Sequence, residues 1–214
     1  MLKEMQLKEE VLNLLERLDY ETLSASNTIA TLLEGGLADV TNSKIFTKYE
    51  NDYITKYMEY DFAKLGVNEF ILSQLEEKNI VVDWTLQFVT NKLEVTVNKD
   101  IEVKKTVYID LTEEELNTLQ NLHYAVQAKR AIVVKIFDRH QLDADTKVLY
   151  SGAFQDYQNS LAKLERDYER EKDRLSKKFL PVGADSHSLN WGFDFLNNQF
   201  IVRILCDCGV NLFD

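Results

Sequence analysis

The chain has 214 residues, of which 45% are apolar and 29% charged, and its net charge is −11. That apolar content is too high for a disordered chain and is enough for a sizeable buried core. The acidic balance argues against non-specific nucleic-acid binding, which needs excess Lys and Arg to neutralise phosphates. No apolar run is long enough to span a membrane, and the first eighteen residues carry charges throughout, unlike a secretory signal. The two cysteines, Cys206 and Cys208, cannot build a disulfide framework and fit a reducing compartment, so a cytoplasmic location is expected.

In chain order, Leu7, Val11, Leu14, Leu15 and Leu18 lie on one face at helical spacing. More helix is predicted over Ser24 to Leu33, stopped by Gly35 and Gly36. A third helix starts at Ser43, a plausible N-cap, and carries the stripe Phe46, Tyr49, Tyr53, Tyr57, Tyr60. Gly66 is read as breaking this helix, with Asn68 restarting it through Glu77. Val82, Trp84, Leu86 and Phe88 then alternate with polar residues. Thr90-Asn91-Lys92 turns, and Leu93, Val95 and Val97 return, giving a β-hairpin over 80–97. A further strand is predicted from Ile101 to Ile109.

The chain then repeats its own pattern. LKEEVLNLLERLDY from Leu7 matches LTEEELNTLQNLHY from Leu111 at eight of fourteen positions, at an offset of 104. Ser43, Phe46, Tyr49, Asn51 and Tyr60 recur as Ser151, Phe154, Tyr157, Asn159 and Tyr168, at an offset of 108. Trp84, Phe88, Asn91 and Val95 recur as Trp191, Phe195, Asn198 and Val202, at an offset of 107. Periodicity explains a repeated Leu but not a repeated Trp, Asn and Ser.

The second copy adds a capping box, Thr112 with Glu115, and the seam Phe154, Tyr157, Leu161, Leu164, Tyr168, Leu175 at alternating threes and fours. Pro181 and Gly183 close that helix. The hairpin over 189–206 follows, and Gly209 to Phe213 echo a strand. Asn13 and Asn117 sit mid-helix in both copies and are read as facing solvent.

The expected fold class is α+β. It is a tandem duplication of a three-helix plus β-hairpin module, over 1–106 and 107–214, packed as a pseudo-twofold pair like a fused homodimer.

Chemistry is thinly signalled. Cys206 and Cys208 with His123, His140 and His187 do not reach the spacing of a four-ligand zinc site. Asp143-Ala-Asp145 lacks the Gly and distal Glu of a calcium loop. No phosphate loop or nucleophile elbow occurs, so no catalytic residue, metal or cofactor is expected. A nucleic-acid mimic would need ordered rows of acids, whereas the acids here are mixed with Lys and Arg.

The aromatics are the more suggestive feature, because Tyr and Trp give large rigid area with a polar tip. Tyr49, Tyr53, Tyr57, Tyr60, Tyr157 and Tyr168 are the candidate interaction surface, weighed against packing inside the molecule. The expectation is a non-catalytic acidic protein that binds another, basic-surfaced protein, in the manner of an inhibitor, antitoxin, immunity or phage anti-defence protein. The Lys-, Asn-, Ile- and Tyr-rich composition suits an AT-rich bacterial or phage genome. The alternative is a self-associating structural or assembly subunit of a phage or other oligomeric complex.

Overall fold

The computed structural model describes residues 2–37, 39–75, 81–87, 92–98, 103–141, 146–181 and 189–205. The order is strand β1 (Leu2–Met5), helix α1 (Glu9–Glu34), a 3-10 turn (Val40–Asn42), helix α2 (Lys44–Leu75), and strands β2 (Val81–Gln87) and β3 (Lys92–Asn98). The same order follows again: strand β4 (Lys105–Asp110), helix α3 (Glu113–Gln141), a 3-10 turn (Thr146–Tyr150), helix α4 (Gly152–Phe179), and strands β5 (Leu189–Asp194) and β6 (Gln199–Ile204). The class is α+β, with four helices and two small antiparallel sheets among the described residues. None of those helices is long and apolar enough to cross a membrane.

Each half has two long helices rather than the three expected. Leu18 and Ile29 are both buried, so one apolar face runs on through α1 where the sequence reading split it. Likewise α2 passes through Gly66 without a break. A glycine inside a helix costs about 1 kcal/mol against Ala, too little to end it when Val67 and Ile71 beyond it are buried. Asn68 does not restart the helix; its Oδ1 accepts the indole N–H of Trp84.

The predicted caps are present. Ser43 Oγ accepts the N–H of Phe46 at 3.1 Å, and Ser151 Oγ accepts that of Phe154 at 3.2 Å. Thr112 and Glu115 form the reciprocal capping box, with Glu115 N–H donating to Thr112 Oγ1 at 3.3 Å and Thr112 N–H to Glu115 Oε2 at 3.2 Å. Gly36 ends α1 in the left-handed region at φ 63, where a side chain would be strained. Asn13 and Asn117 are exposed.

The chain divides into two compact units. The first comprises Met1–Glu16, Phe62–Leu116 and Arg174–Asp214; the second comprises Arg17–Asp61 and Asn117–Asp173. Both draw on each half of the sequence.

The first unit holds the sheets, ordered β1-β3-β2 and β4-β6-β5, so each places the hairpin's return strand in the middle. Their registers also match: Trp84 lies opposite Val95, and Trp191 opposite Val202. Phe200, Val202 and Ile204 alternate onto one buried face, joined by Leu189, Trp191, Phe193 and Phe179. The Trp191 and Phe200 rings stack at 5.4 Å.

The additional strand predicted from Ile101 is β4, which begins at Lys105 and pairs with β6. Its counterpart β1 was not anticipated, because four residues with two charges show little alternation. Asn91, Gly183, Gly209 to Phe213, Cys206, Cys208, His187, Asp143 and Asp145 lie outside the described residues.

The second unit is a helical bundle. Contacts of α2 with α3 run from Glu50–Lys129 to Asp61–Tyr124, so these helices are antiparallel. Those of α3 with α4 run from His123–Tyr168 to Arg130–Glu165, again antiparallel. Those of α1 with α3 run from Ser26–Lys135 to Glu34–Arg139, so these two are parallel. The core is Ile29, Ala30, Leu33, Val40, Phe46, Tyr53, Ala128, Ile132, Ile136, Ala153, Phe154 and Tyr157.

Candidate functional site

The second unit carries the candidate site, a shallow groove along the outer face of α3. Ala128, Ile132 and Ile136 turn one face of that helix into the core. At 100° per residue, Gln127, Ala131, Val134 and Asp138 then fall on the opposite side. These four, with Arg130, Lys135, Arg139 and Tyr57 from α2, line a cavity of about 580 Å³. Val134 is 51% exposed and, with Ala131, forms the apolar part of the floor.

Three cations border it, each held by another helix. Arg130 Nη2 donates to Glu165 Oε1 of α4 at 2.7 Å. Arg139 meets Glu34 of α1 at 3.3 Å and donates to Asn27 Oδ1 at 2.7 Å. Lys135 differs from both: its Nζ donates at 2.6 Å to a neutral hydroxyl, the Oγ of buried Ser26. Burial lowers the Lys135 ammonium below the usual lysine range and Arg139 adds to this, with Glu34 opposing. Among the described residues no carboxylate lies in ion-pair contact with it.

The six tyrosines of the predicted interaction surface are all in this unit, but not on one surface. Tyr49 is exposed; Tyr57, Tyr60 and Tyr168 are half-buried; Tyr53 and Tyr157 are buried. Tyr53 and Tyr57 meet edge to face at 6.1 Å, and Tyr157 meets Phe46 in the same way at 6.0 Å. The Tyr157 hydroxyl is pushed well above its ordinary range by burial, then by the Glu50 carboxylate. Tyr60 is pushed up to about 12, first by burial and then by Asp19.

Tyr168 belongs to a separate polar chain. Its hydroxyl lies 3.0 Å from His123 Nδ1, and the neighbouring Tyr124 hydroxyl donates to Asp61 Oδ2 at 3.1 Å. Burial lowers His123 below the ordinary histidine range; Lys172 and Arg130 add to this against Asp61. Among the described residues no group of three or more His, Cys, Asp or Glu side chains is placed to hold a metal ion.

Of the groove residues, the sequence reading singled out only Tyr57. A usable signal lay in comparing the halves. Residues 18–34 contain no Lys or Arg, whereas 122–141 contain Lys129, Arg130, Lys135 and Arg139. The cationic stripe is therefore particular to the second half. A scan against protein-family models, a search of curated proteins and a search of solved structures each returned no match.

Proposed function

We propose that this chain is a non-catalytic protein-binding protein built by tandem duplication. The repeated element order, the matching sheet orders and the twin Trp–Val register support the duplication. The observation that carries the binding role is the α3 groove, where apolar Val134 is exposed and Ala131 half-buried between long polar side chains. Partner surfaces combine an apolar centre with a polar rim in this way. The net charge of −11 favours a partner with a basic surface at long range, as in inhibitors, antitoxins, immunity proteins or phage anti-defence proteins of the cytoplasm. Exposed Tyr49 adds a rigid aromatic to the same unit.

The test is a tagged pull-down from the native host, using wild type and Val134→Asp, followed by mass spectrometry and sizing of the eluate. One stoichiometric foreign protein, lost with Val134→Asp, is the expected result. A partner retained unchanged by that variant removes the groove from the interface.

A second reading, a self-assembling structural subunit, is favoured by the connection end of the bundle. Because α1 and α3 run parallel, both 3-10 connections lie at one end. Leu37, Ile45 and Tyr150 are exposed there by 66%, 67% and 79%. Concentration-dependent growth in sedimentation velocity identifies this case.

A further inference from the structure

We propose that the α3 groove is a docking channel for an acidic amphipathic helix of a partner protein, with Lys135 as the cation that receives its carboxylate. This rests on the protein-binding reading and names the chemistry of the segment that enters.

The lining residues Gln127 to Arg139 run along about 18 Å of helix at 1.5 Å per residue, the length of about three turns of a docked helix. Ala131 and Val134 lie in the middle of that run and would meet apolar residues at helical spacing. Arg130, Lys135 and Arg139 line it with Asp138; Glu165 and Glu34 balance the two arginines, which leaves Lys135 as the lining cation without an ion-pair partner among the described residues, in a chain of net charge −11. At physiological salt the screening length is about 8 Å, so the sign of the groove, not of the whole chain, governs what fits in it.

Within the groove the cations are not equivalent. Glu165 and Glu34 already neutralise Arg130 and Arg139 and hold them along the margins. Among the described residues Lys135 hydrogen-bonds the neutral Ser26 hydroxyl and forms no ion pair, with Glu34 acting on it from farther away. A half-desolvated ammonium gains more from an incoming carboxylate than from a neutral oxygen. The first half of the sequence has no cations at the corresponding level of α1, so α1 does not repeat this cationic lining.

The experiment uses the full-length chain and two fluorescein-labelled synthetic helices of about sixteen residues. Both carry Leu at i, i+3, i+4 and i+7; one has Glu and the other Lys at the flanking positions. Fluorescence anisotropy is expected to show saturable binding of the Glu peptide and at least about tenfold weaker binding of the Lys peptide. Lys135→Glu and Val134→Asp should each weaken the Glu peptide about tenfold. Lys135→Met, which keeps the length of the side chain, should weaken it less, and Lys163→Glu on exposed α4 surface should leave it within about twofold. Thermal melts followed by circular dichroism show whether each variant keeps the fold, and Lys135→Met serves if the charge reversal does not.

Equal binding of the two peptides, no binding of the Glu peptide, or indifference to Lys135 overturns the proposal. If it fails while the pull-down still yields a stoichiometric partner, the protein-binding reading stands and only the acidic helix is withdrawn.

Discussion

Lys129 Nζ lies 4.2 Å from the centroid of the Tyr157 ring while it is ion-paired to Glu50. All three side chains belong to the helical unit, and Lys129 and Tyr157 are buried. The ammonium thus has two electron-rich partners in a place where an unpaired charge would be costly. Tyr157 in turn packs edge to face on Phe46, so the charged cluster adjoins the apolar core.

Removing one member should therefore cost more than replacing two. Lys129→Ala leaves Glu50 without its counter-ion and empties the space over the ring, with an expected loss of about 3–5 kcal/mol. Lys129→Met with Glu50→Gln keeps the volume and removes both charges, and should recover most of that loss. Urea denaturation of the single and double variants decides the matter. A double variant no more stable than Lys129→Ala would show that the pair is not coupled.

Gly66 lies mid-helix in α2, is exposed, and has open space where a Cβ would project. Nothing in its conformation calls for glycine, so Gly66→Ala removes backbone freedom from the unfolded chain without introducing a clash. Stability should rise by about 0.5–1 kcal/mol, and the melting temperature by a few degrees. A decrease in a calorimetric scan would contradict this account of the continuous helix.

Most of the local structure was legible because local chemistry specifies it. Ser43, Ser151 and the Thr112–Glu115 pair mark helix starts through bonds made within three residues, and Trp84 and Trp191 mark strands by alternation. The long helices were harder to see. The link from Ser24 to Leu33 back to Leu18 depends on tertiary burial, which overrides the small penalties of polar residues and glycine. Strand β1 was hidden because its partner β3 lies about ninety residues away, a pairing that no local pattern reports. The groove was hidden for a related reason. Lys135 looks like any surface lysine until Ser26 is brought to it from α1, while Glu165 and Glu34 are brought to Arg130 and Arg139 beside it.

Asn198 adopts φ 59 before β6, and its carbonyl accepts the N–H of Leu111 at 3.0 Å. The turn behind it is closed by Asp194, whose Oδ1 accepts the N–H groups of Leu196 and Asn197, both at 3.0 Å. Asn tolerates the left-handed region, and a β-branched residue does not. Asn198→Val should destabilise the chain by about 1–2 kcal/mol, while Asn198→Gly should be near neutral. Chemical denaturation of the pair separates conformational strain from loss of the side chain, since strain spares the glycine variant.

Glu115 gives the clearest pH dependence. Its residue is only 7% exposed, and burial by itself would raise its carboxyl. Lys178 Nζ at 2.7 Å and the Thr112 N–H and hydroxyl outweigh burial, and the carboxyl is held below the usual glutamate range. A carboxylate lowered on folding stabilises the native state fully above its unfolded pKa, about 4.3, and that stabilisation is lost as pH falls through the lower folded value. The stability gap between wild type and Glu115→Gln should therefore be constant at pH 6 to 7 and narrow below about pH 4. Lys178→Met should make that gap smaller and let the narrowing finish at higher pH, because it removes the main interaction holding the folded carboxyl down, while the onset stays at the unfolded value. Urea midpoints measured from pH 7 to pH 3 test both statements. A gap that stays the same throughout would mean that the Glu115 carboxylate contributes no more in the folded chain than in the unfolded one.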